Sequence, residues 1–245
     1  MPHRQNLILA ALPAGILEAL EPHLKIVKLP FAQLVASTGG TVTNIYFPHD
    51  SVVSLVVQLD DGQMVEAAMV GRDGVVNATS ALDGKLSLQR SIVQVAGGSS
   101  SISPNDLRAV AREWEGLQSL IIRHEQILLS QAMQSAACNA SHTVEARMCR
   151  WLLRIRDLTQ SDQIMLTQEF LAQLLGVRRT SVSLVAGTLQ SAGLIRYKRG
   201  NIKLLDIEAL QETSCECYAK VNTAYEMLRR PGDASLWPQA SNGRN

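Results

Sequence analysis

The chain changes its hydrophobic period at Pro104. Between residues 25 and 103, short apolar or β-branched runs (KIVKL, TNIYF, SVVSLVVQL, MVEAAMV, SIVQV) alternate with STGG, PHD, DDG, GRDG, LDGK and AGGSSS. Short strands punctuated by turn chemistry at this spacing fold as a small antiparallel barrel or sandwich. From Pro104 to about Ala140 the only glycine is Gly116. Over this stretch Leu107, Val110, Trp114, Leu117, Ile121, His124, Leu128 and Gln131 recur at intervals of three and four. That spacing lays them along one stripe of a long helix. Ser103 suits its N-cap, with Pro104 at the first helical position. Strands first and helices after, in 245 residues that are 46% hydrophobic and 18% charged, predict a globular α+β protein of one or two domains.

The stripe is longer than a small barrel could cover. A second copy of the helix explains it best, so a homodimer is expected; the alternative is a helix packed on its own barrel. His124 and Gln131 on that seam read as register-setting or solvated residues. CNASH, residues 138–142, is a plausible break or hinge. The amphipathic helix TVEARMCRWLLRIRDL follows, with Val144, Met148, Trp151, Leu152 and Ile155 on its apolar face, and then a loop, TQSDQ. At the N-terminus, Pro13 and Gly15 interrupt the apolar run of RQNLILAALPAGILEAL, and Glu18 and Glu21 follow closely. This predicts a short surface helix rather than a secretory signal. No apolar run approaches the ~20 residues of a membrane span, so no membrane partner is expected. Cys138, Cys149, Cys215 and Cys217 form no disulfide framework and read as reduced thiols of a cytoplasmic protein.

The most informative window is QEFLAQLLGVRRTSVSLVAG, from Gln168. Thr167 suits the N-cap of a first helix. Leu171 and Leu175 face inward, Ala172 is small where two helices cross, and Gly176 supplies the positive φ of a tight turn. Val177, Val182 and Val185 complete a small core. Gly193 ends the second helix. LIRY and IKLL then form two strands around the turn KRGN. This is the pattern of a winged helix-turn-helix. Residues 166–205 hold six cations and one anion, Glu169, although the whole chain carries a formal charge of only +1. A basic module in an otherwise acidic chain suits duplex DNA, where phosphate contacts supply much of the affinity. The expected DNA-binding residues are Arg178, Arg179, Thr180, Ser181 and Ser183 at the start of the recognition helix, Thr167 before it, and Lys198 and Arg199 in the wing. The alternative is an ordinary solvated helix face.

In this order of parts, and most specifically over residues 166–205, the chain resembles the Crp/Fnr superfamily of bacterial transcription regulators. The resemblance implies an N-terminal antiparallel β-roll (a cyclic-nucleotide-binding-like jelly roll), a long dimerisation helix and a C-terminal winged helix-turn-helix. The corresponding boundaries are 1–103, 104–140 and 141–230, with a flexible tail at 231–245 in which Trp237 is unexplained. It also implies a homodimer that reads a roughly palindromic promoter site, with RNA polymerase and a small-molecule effector as further partners. Arg179 matches the first arginine of the family's recognition-helix pattern. Thr180 stands where a glutamate is usual and Leu184 where a second arginine is usual, so base preference should differ.

The sensor departs further from the family pattern. Gly74 is followed by Val75 where cyclic-nucleotide binders carry a glutamate, while Arg90-Ser91 could match the phosphate-binding pair. Gly74, Val75, Arg90 and Ser91 are therefore the candidate effector residues. The missing carboxylate, worth ~1–3 kcal/mol, argues against tight cAMP binding. No cysteine precedes Cys138, so the family's iron–sulphur cluster is not expected, and His49 alone is weak support for haem. No cofactor and no metal are expected. Cys138, His142, Glu145 and Cys149, spaced 4, 3 and 4, would share a face only on an unbroken helix. Cys215 and Cys217 read as surface or helix-packing cysteines rather than a redox pair. No phosphate-binding loop or catalytic constellation stands out, so an enzyme is not expected. The alternative function is a ligand-binding regulatory protein that acts through a protein partner and binds DNA only weakly.

Overall fold

The computed structural model describes residues 2–82 and 86–229. The tail from Pro231, Trp237 with it, and part of the LDGK turn lie outside the described residues. Two short helices open the chain, α1 (Leu7–Ala11) and α2 (Ala14–Leu20). They are not surface helices: Ile8, Leu9, Leu12, Ile16, Leu17 and Leu20 are all buried. Asn6 explains their seating. Its Oδ1 accepts the N–H groups of Ile8 and Leu9, at 3.0 and 3.2 Å, and so caps α1. Its Nδ2 donates to the carbonyls of Pro48 and Gly74, both at 2.9 Å, tying the N-terminus to two distant turns.

Among the described residues seven strands follow: β1 (Lys25–Leu29), β2 (Leu34–Ala36), β3 (Ile45–Pro48), β4 (Val52–Gln58), β5 (Met64–Val70), β6 (Arg90–Val95) and β7 (Gly97–Ile102). They form two antiparallel sheets, ordered β1-β7-β3 and β2-β6-β4-β5, which together make the β-roll. AGGSSS has the composition of a break, but Gly97–Ile102 is the central strand of its sheet. There Ser101 lies opposite both Lys25 and Tyr46. Its Gly/Ser composition hides a strand that owes its place to small size and to satisfied hydroxyls. Ser100 Oγ, for example, lies 2.8 Å from both His3 Nδ1 and His49 Nε2.

The helix predicted over 104–140 is two helices, α3 (Pro104–Glu113) and α4 (Glu115–Ser141). Ser103 caps α3 as expected, accepting the Asp106 N–H at 3.1 Å. The chain breaks at Trp114 (φ −128°, ψ 91°), whose indole packs into the core beneath α1 and α2. The predicted stripe also faces the other way from the expected seam. Leu107, Val110, Leu117 and Ile121 belong to the same core as α1 and α2, and Leu128 packs against the β-roll. His124 is fully buried and accepts the Val75 N–H at 3.1 Å, so it neither sets a register between copies nor meets solvent. The Gln131 amide reaches the Met69 backbone and the Tyr225 hydroxyl. A different line of α4 is open: Ile122, Gln126, Leu129, Met133, Ala136 and Ala140, again spaced four and three.

CNASH does not break the helix, since α4 continues through Ser141 and the chain turns at His142–Thr143. The next helix, α5 (Val144–Thr159), is amphipathic as expected but buried nearly all round, Arg147, Arg150 and Arg154 included. Cys149 lies in that core, apart from Cys138, so the four residues spaced 4, 3 and 4 do not share a face. Then come β8 (Gln163–Met165), α6 (Gln168–Leu175), α7 (Arg179–Ser191), β9 (Ile195–Lys198), β10 (Asn201–Leu204), α8 (Ile207–Thr213) and α9 (Cys217–Arg229).

The roll and the C-terminal helices share one core. Val52, Val56, Met69 and Ile92 of the sheet pack with Met148, Trp151, Leu152 and Leu171. Trp151 Nε1 donates to Glu66 Oε1 on β5 at 3.1 Å, and Ser54 Oγ donates to the other carboxylate oxygen at 2.6 Å. Burial pushes the Glu66 carboxyl up to about 7 despite those two donors. Finally α9 folds back along α4. There Arg154, ion-paired to Asp73 at 2.8 Å, lies 4.5 Å over the Tyr225 ring.

Candidate nucleic-acid interface

Local signals position the helix-turn-helix. Thr167 Oγ1 accepts the Phe170 N–H at 3.2 Å and starts α6. Gly176, with φ +62°, ends it in the left-handed conformation that a side chain would resist. A Cβ there would also lie 3.2 Å from the Val65 methyls, so glycine suits both the turn and the close approach of the roll. Leu171, Ala172 and Leu175 of α6 and Val182, Ala186 and Leu189 of α7 are buried between the helices. Gly193, at φ +78°, follows α7. In the wing, Arg199 and Gly200 have φ +49° and +77°, as a two-residue hairpin turn of matching twist demands. β8 adds a third strand, in the order β8-β10-β9, that sequence patterning missed because it is only three residues long.

This packing leaves the cationic and hydroxyl side chains outward. Arg178, Arg179, Thr180 and Ser183 are exposed and Ser181 is half-buried; Lys198 and Arg199 are exposed at the wing tip. Arg178 is the N-cap of α7 but makes no side-chain cap; the Ser181 N–H bonds the Arg178 carbonyl at 3.0 Å, so it is the N–H groups of Arg179 and Thr180 that suit an anion. Thr167, Arg179, Ser183 and Arg199 line one groove of about 610 Å³ between α7 and the wing. Arg178, Thr180, Ser181 and Lys198 lie outside that groove's lining.

The groove also holds residues that no sequence expectation placed there. Gln168 accepts the Ser183 hydroxyl at 2.7 Å, and Glu169 lies 3.9 Å from Arg179 Nε. Gln190 accepts the Tyr197 N–H at 2.8 Å, and Tyr197 donates its hydroxyl to the Leu166 carbonyl at 2.9 Å. Gln190 extends the polar outer face of α7 that Arg179 and Ser183 begin, while Gln168 and Glu169 on α6 and Tyr197 on β9 carried no periodic signal. Leu184, in place of the family's second arginine, is 74% exposed on that face.

The sensor residues are dispersed. Arg90 lines a cavity of about 820 Å³ between the roll and α4, together with Leu55, Ala68, Leu128, Leu129 and Glu125. Burial pushes the Glu125 carboxyl up to about 7. Val75 lines a smaller cavity of about 280 Å³ that shares Glu125 and Leu128. Gly74 and Ser91 line neither. A Cβ at Gly74 would lie 2.6 Å from His124 Nε2, so this turn is stitched to α4 by its backbone. Ser91 is fully buried in β6. His49 is held by Ser100 and buried, which pushes its imidazole pKa down.

Residues 146–213 match the family described as the Crp-like helix-turn-helix domain. No curated protein sequence matches the chain. Several solved structures share its fold. FixK2 from Bradyrhizobium japonicum aligns with a TM-score of 0.66 at 14% identity, covering 78% of this chain and 98% of its own. CLP of Xanthomonas campestris, described as a c-di-GMP-responsive global regulator, aligns at 0.62 and 19% identity, covering 79% and 100%. A CRP-family transcriptional regulator of Thermus thermophilus aligns at 0.63 and 22% identity, covering 77% and 96%. Among the described residues no helix is long and apolar enough to cross a membrane. Residues 146–213 thus match a Crp-like helix-turn-helix domain, and the chain as a whole shares the fold of solved CRP-family regulators.

Proposed function

We propose that this chain is a sequence-specific, DNA-binding transcription regulator that acts as a homodimer. It reads a roughly palindromic promoter site through the recognition helix, residues 178–191, and answers a signal received in the roll. The observation that carries this reading is the groove in which Arg179, Ser183, Thr167 and Arg199 converge beside an uncapped helix start. Arg179 is the base reader, suited to a bidentate contact with guanine, and exposed Leu184 offers an apolar face to a thymine methyl. Lys198 and Arg199 hold phosphate.

The seam of the dimer is the open line of α4, from Ile122 to Ala140, whose four-and-three spacing suits a paired helix. The 820 Å³ cavity reaches this line at Leu129. An effector bound beside Arg90 would thus touch the seam and bias the spacing of the two reading heads. RNA polymerase is the partner once the site is occupied. The protein works in the cytoplasm and catalyses no reaction.

Selection of the purified protein against random duplex DNA tests the reading. The expected result is a two-fold symmetric motif that Arg179→Ala blurs at one base pair per half-site, losing ~1–3 kcal/mol of discrimination there. Selection with no enriched motif, with and without candidate effectors, would overturn it.

A further inference from the structure

Cys138 and His142 lie at the C-terminal end of α4, and Cys215 and Cys217 flank the start of α9, more than seventy residues later in the chain. The fold brings all four together: one sulphur or nitrogen ligand atom from each lies within 4.8 Å of every other. Cys138 Sγ is 3.5 Å from Cys215 Sγ, and Cys217 Sγ is 3.6 Å from His142 Nδ1. A tetrahedral zinc ion with Zn–S of ~2.3 Å and Zn–N of ~2.0 Å sets ligand edges of roughly 3.5–3.8 Å. The two measured edges fall within a few tenths of an ångström of that. Cys138, Cys215 and Cys217 are 0, 7 and 1% exposed, so water does not compete for the centre of the cluster.

The surroundings are also those of a metal site. The far nitrogen of His142, Nε2, lies 3.2 Å from the Glu216 carboxylate. A carboxylate on the second imidazole nitrogen fixes the tautomer that leaves Nδ1 free to ligate. The Gln134 side-chain amide donates to Cys217 Sγ at 3.0 Å, as an N–H donor does towards a thiolate. Arg150 acts electrostatically on Cys138, and Arg147 on both Cys138 and Cys215. Three thiolates, one neutral imidazole and a divalent ion leave one net negative charge, which these guanidinium groups offset.

We propose that Cys138, His142, Cys215 and Cys217 form a Cys3His site for a single thiophilic divalent cation of the zinc class. On binding, three thiol protons pass to solvent and four protein–metal bonds form, with no change of oxidation state. The ion would clamp the start of α9 to the turn at His142–Thr143, where the long helix hands over to the reading head. Arg147 donates to the Leu175 carbonyl at the end of α6, so the clamp lies one residue's reach from the helix-turn-helix. The site is independent of the DNA-binding reading, and its test uses no DNA.

The experiment uses the full chain, purified under thiol reductant without chelators and assayed for bound metal, then stripped and titrated with Co(II). The expected result is one equivalent of zinc. Cobalt should give the intense visible bands of a tetrahedral thiolate complex, displaced by zinc. Cys149→Ser, outside the cluster, keeps one equivalent; Cys138→Ser and Cys217→Ser lose tight binding. Glu216→Gln, which leaves all four ligands in place, weakens zinc by ~10- to 100-fold in competition with a chromophoric chelator. Failure of the unmodified, reduced chain to take up either metal would overturn the proposal, whatever the variants do. So would a weak, octahedral cobalt spectrum, or a native Cys138–Cys215 disulfide whose reduction restores no metal binding.

Discussion

Two adjacent leucines on α4 face opposite fates, and truncating each in turn separates the two possible seams. Leu128 is 6% exposed and packs under the roll; Leu129 is 61% exposed on the line assigned to the partner helix. Fully burying a leucine side chain is worth ~1.5–3 kcal/mol, so the exposed fraction of Leu129 leaves ~1–2 kcal/mol to be gained in each copy. A two-fold interface counts that twice. Allowing for the retained β-carbon, Leu129→Ala should weaken dimerisation by ~2–3 kcal/mol, about 30- to 150-fold in dissociation constant. Leu128→Ala should instead cost ~2–5 kcal/mol of fold stability through the cavity it leaves. Sedimentation equilibrium over a concentration series reads the first effect, and urea unfolding at fixed concentration reads the second. If Leu129→Ala left association unchanged while Leu128→Ala dissociated the dimer, the inward orientation of the Leu107–Gln131 stripe would be wrong. A chain that stayed monomeric at every concentration would refute the seam altogether.

Neutralising the wing tip with Arg199→Gln should flatten the dependence of log K on log salt by about 2, one phosphate lost from each of two wings at ~0.9 apiece. An unchanged slope, measured by fluorescence anisotropy, would remove Arg199 from the interface. Gly187 sits in the middle of α7, lines the groove, and a Cβ there would meet open space. Gly187→Ala should therefore raise stability by ~1 kcal/mol, and it should weaken DNA binding where a phosphate backbone approaches that face; a gain in both would show that nothing does. Burial holds the His124 imidazole down to about 4 from an ordinary 6.5. The unfolded chain binds the extra proton across that interval, so the contribution of His124 is complete above pH 6.5 and is lost as pH falls towards 4. Glu66 runs the opposite way. Its raised carboxyl favours the folded state below about 4.5, and that advantage fades as pH rises to about 7. Melting temperatures of His124→Gln and Glu66→Gln across that range should each lose one of these slopes, and two curves parallel to the parent's would refute both assignments.

The winged helix-turn-helix was legible because every signal in it is local. Thr167 caps the helix it precedes, Gly176 takes the positive φ its turn needs, and the KRGN hairpin closes on its own two residues. The orientation of α4 was not legible, because a helix with apolar residues on two sides offers two stripes of similar spacing. Which one faces inward depends on α1, α2 and α9, segments about a hundred residues away along the chain. The same distance hid the cysteine cluster, since Cys138 and Cys215 meet only through the return of α9. The strand Gly97–Ile102 was missed for a different reason: its residues are small rather than β-branched, and their fitness for a central strand lies in the neighbours they admit. The break at Trp114 has no proline to announce it, only Gly116 two residues on, and follows from where the indole finds cover. Of the residues that line the cavity between the roll and α4, Arg90 stood out in the sequence through its resemblance to a family motif, and Glu125 did not, because it comes from a helix rather than from the roll.

The core shared between the roll and the reading head bears on how the molecule can be taken apart. Val52, Val56, Met69 and Ile92 shield α5 and α6 from one side, and Glu66 receives the Trp151 N–H across the same boundary. A fragment beginning at Val144 would shed that cover and present a greasy flank to water, so the recognition module is not a free-standing cassette. Grafting it onto another sensor would require carrying the β4–β5 hairpin along, or repainting the flank of α5 and α6 with polar side chains.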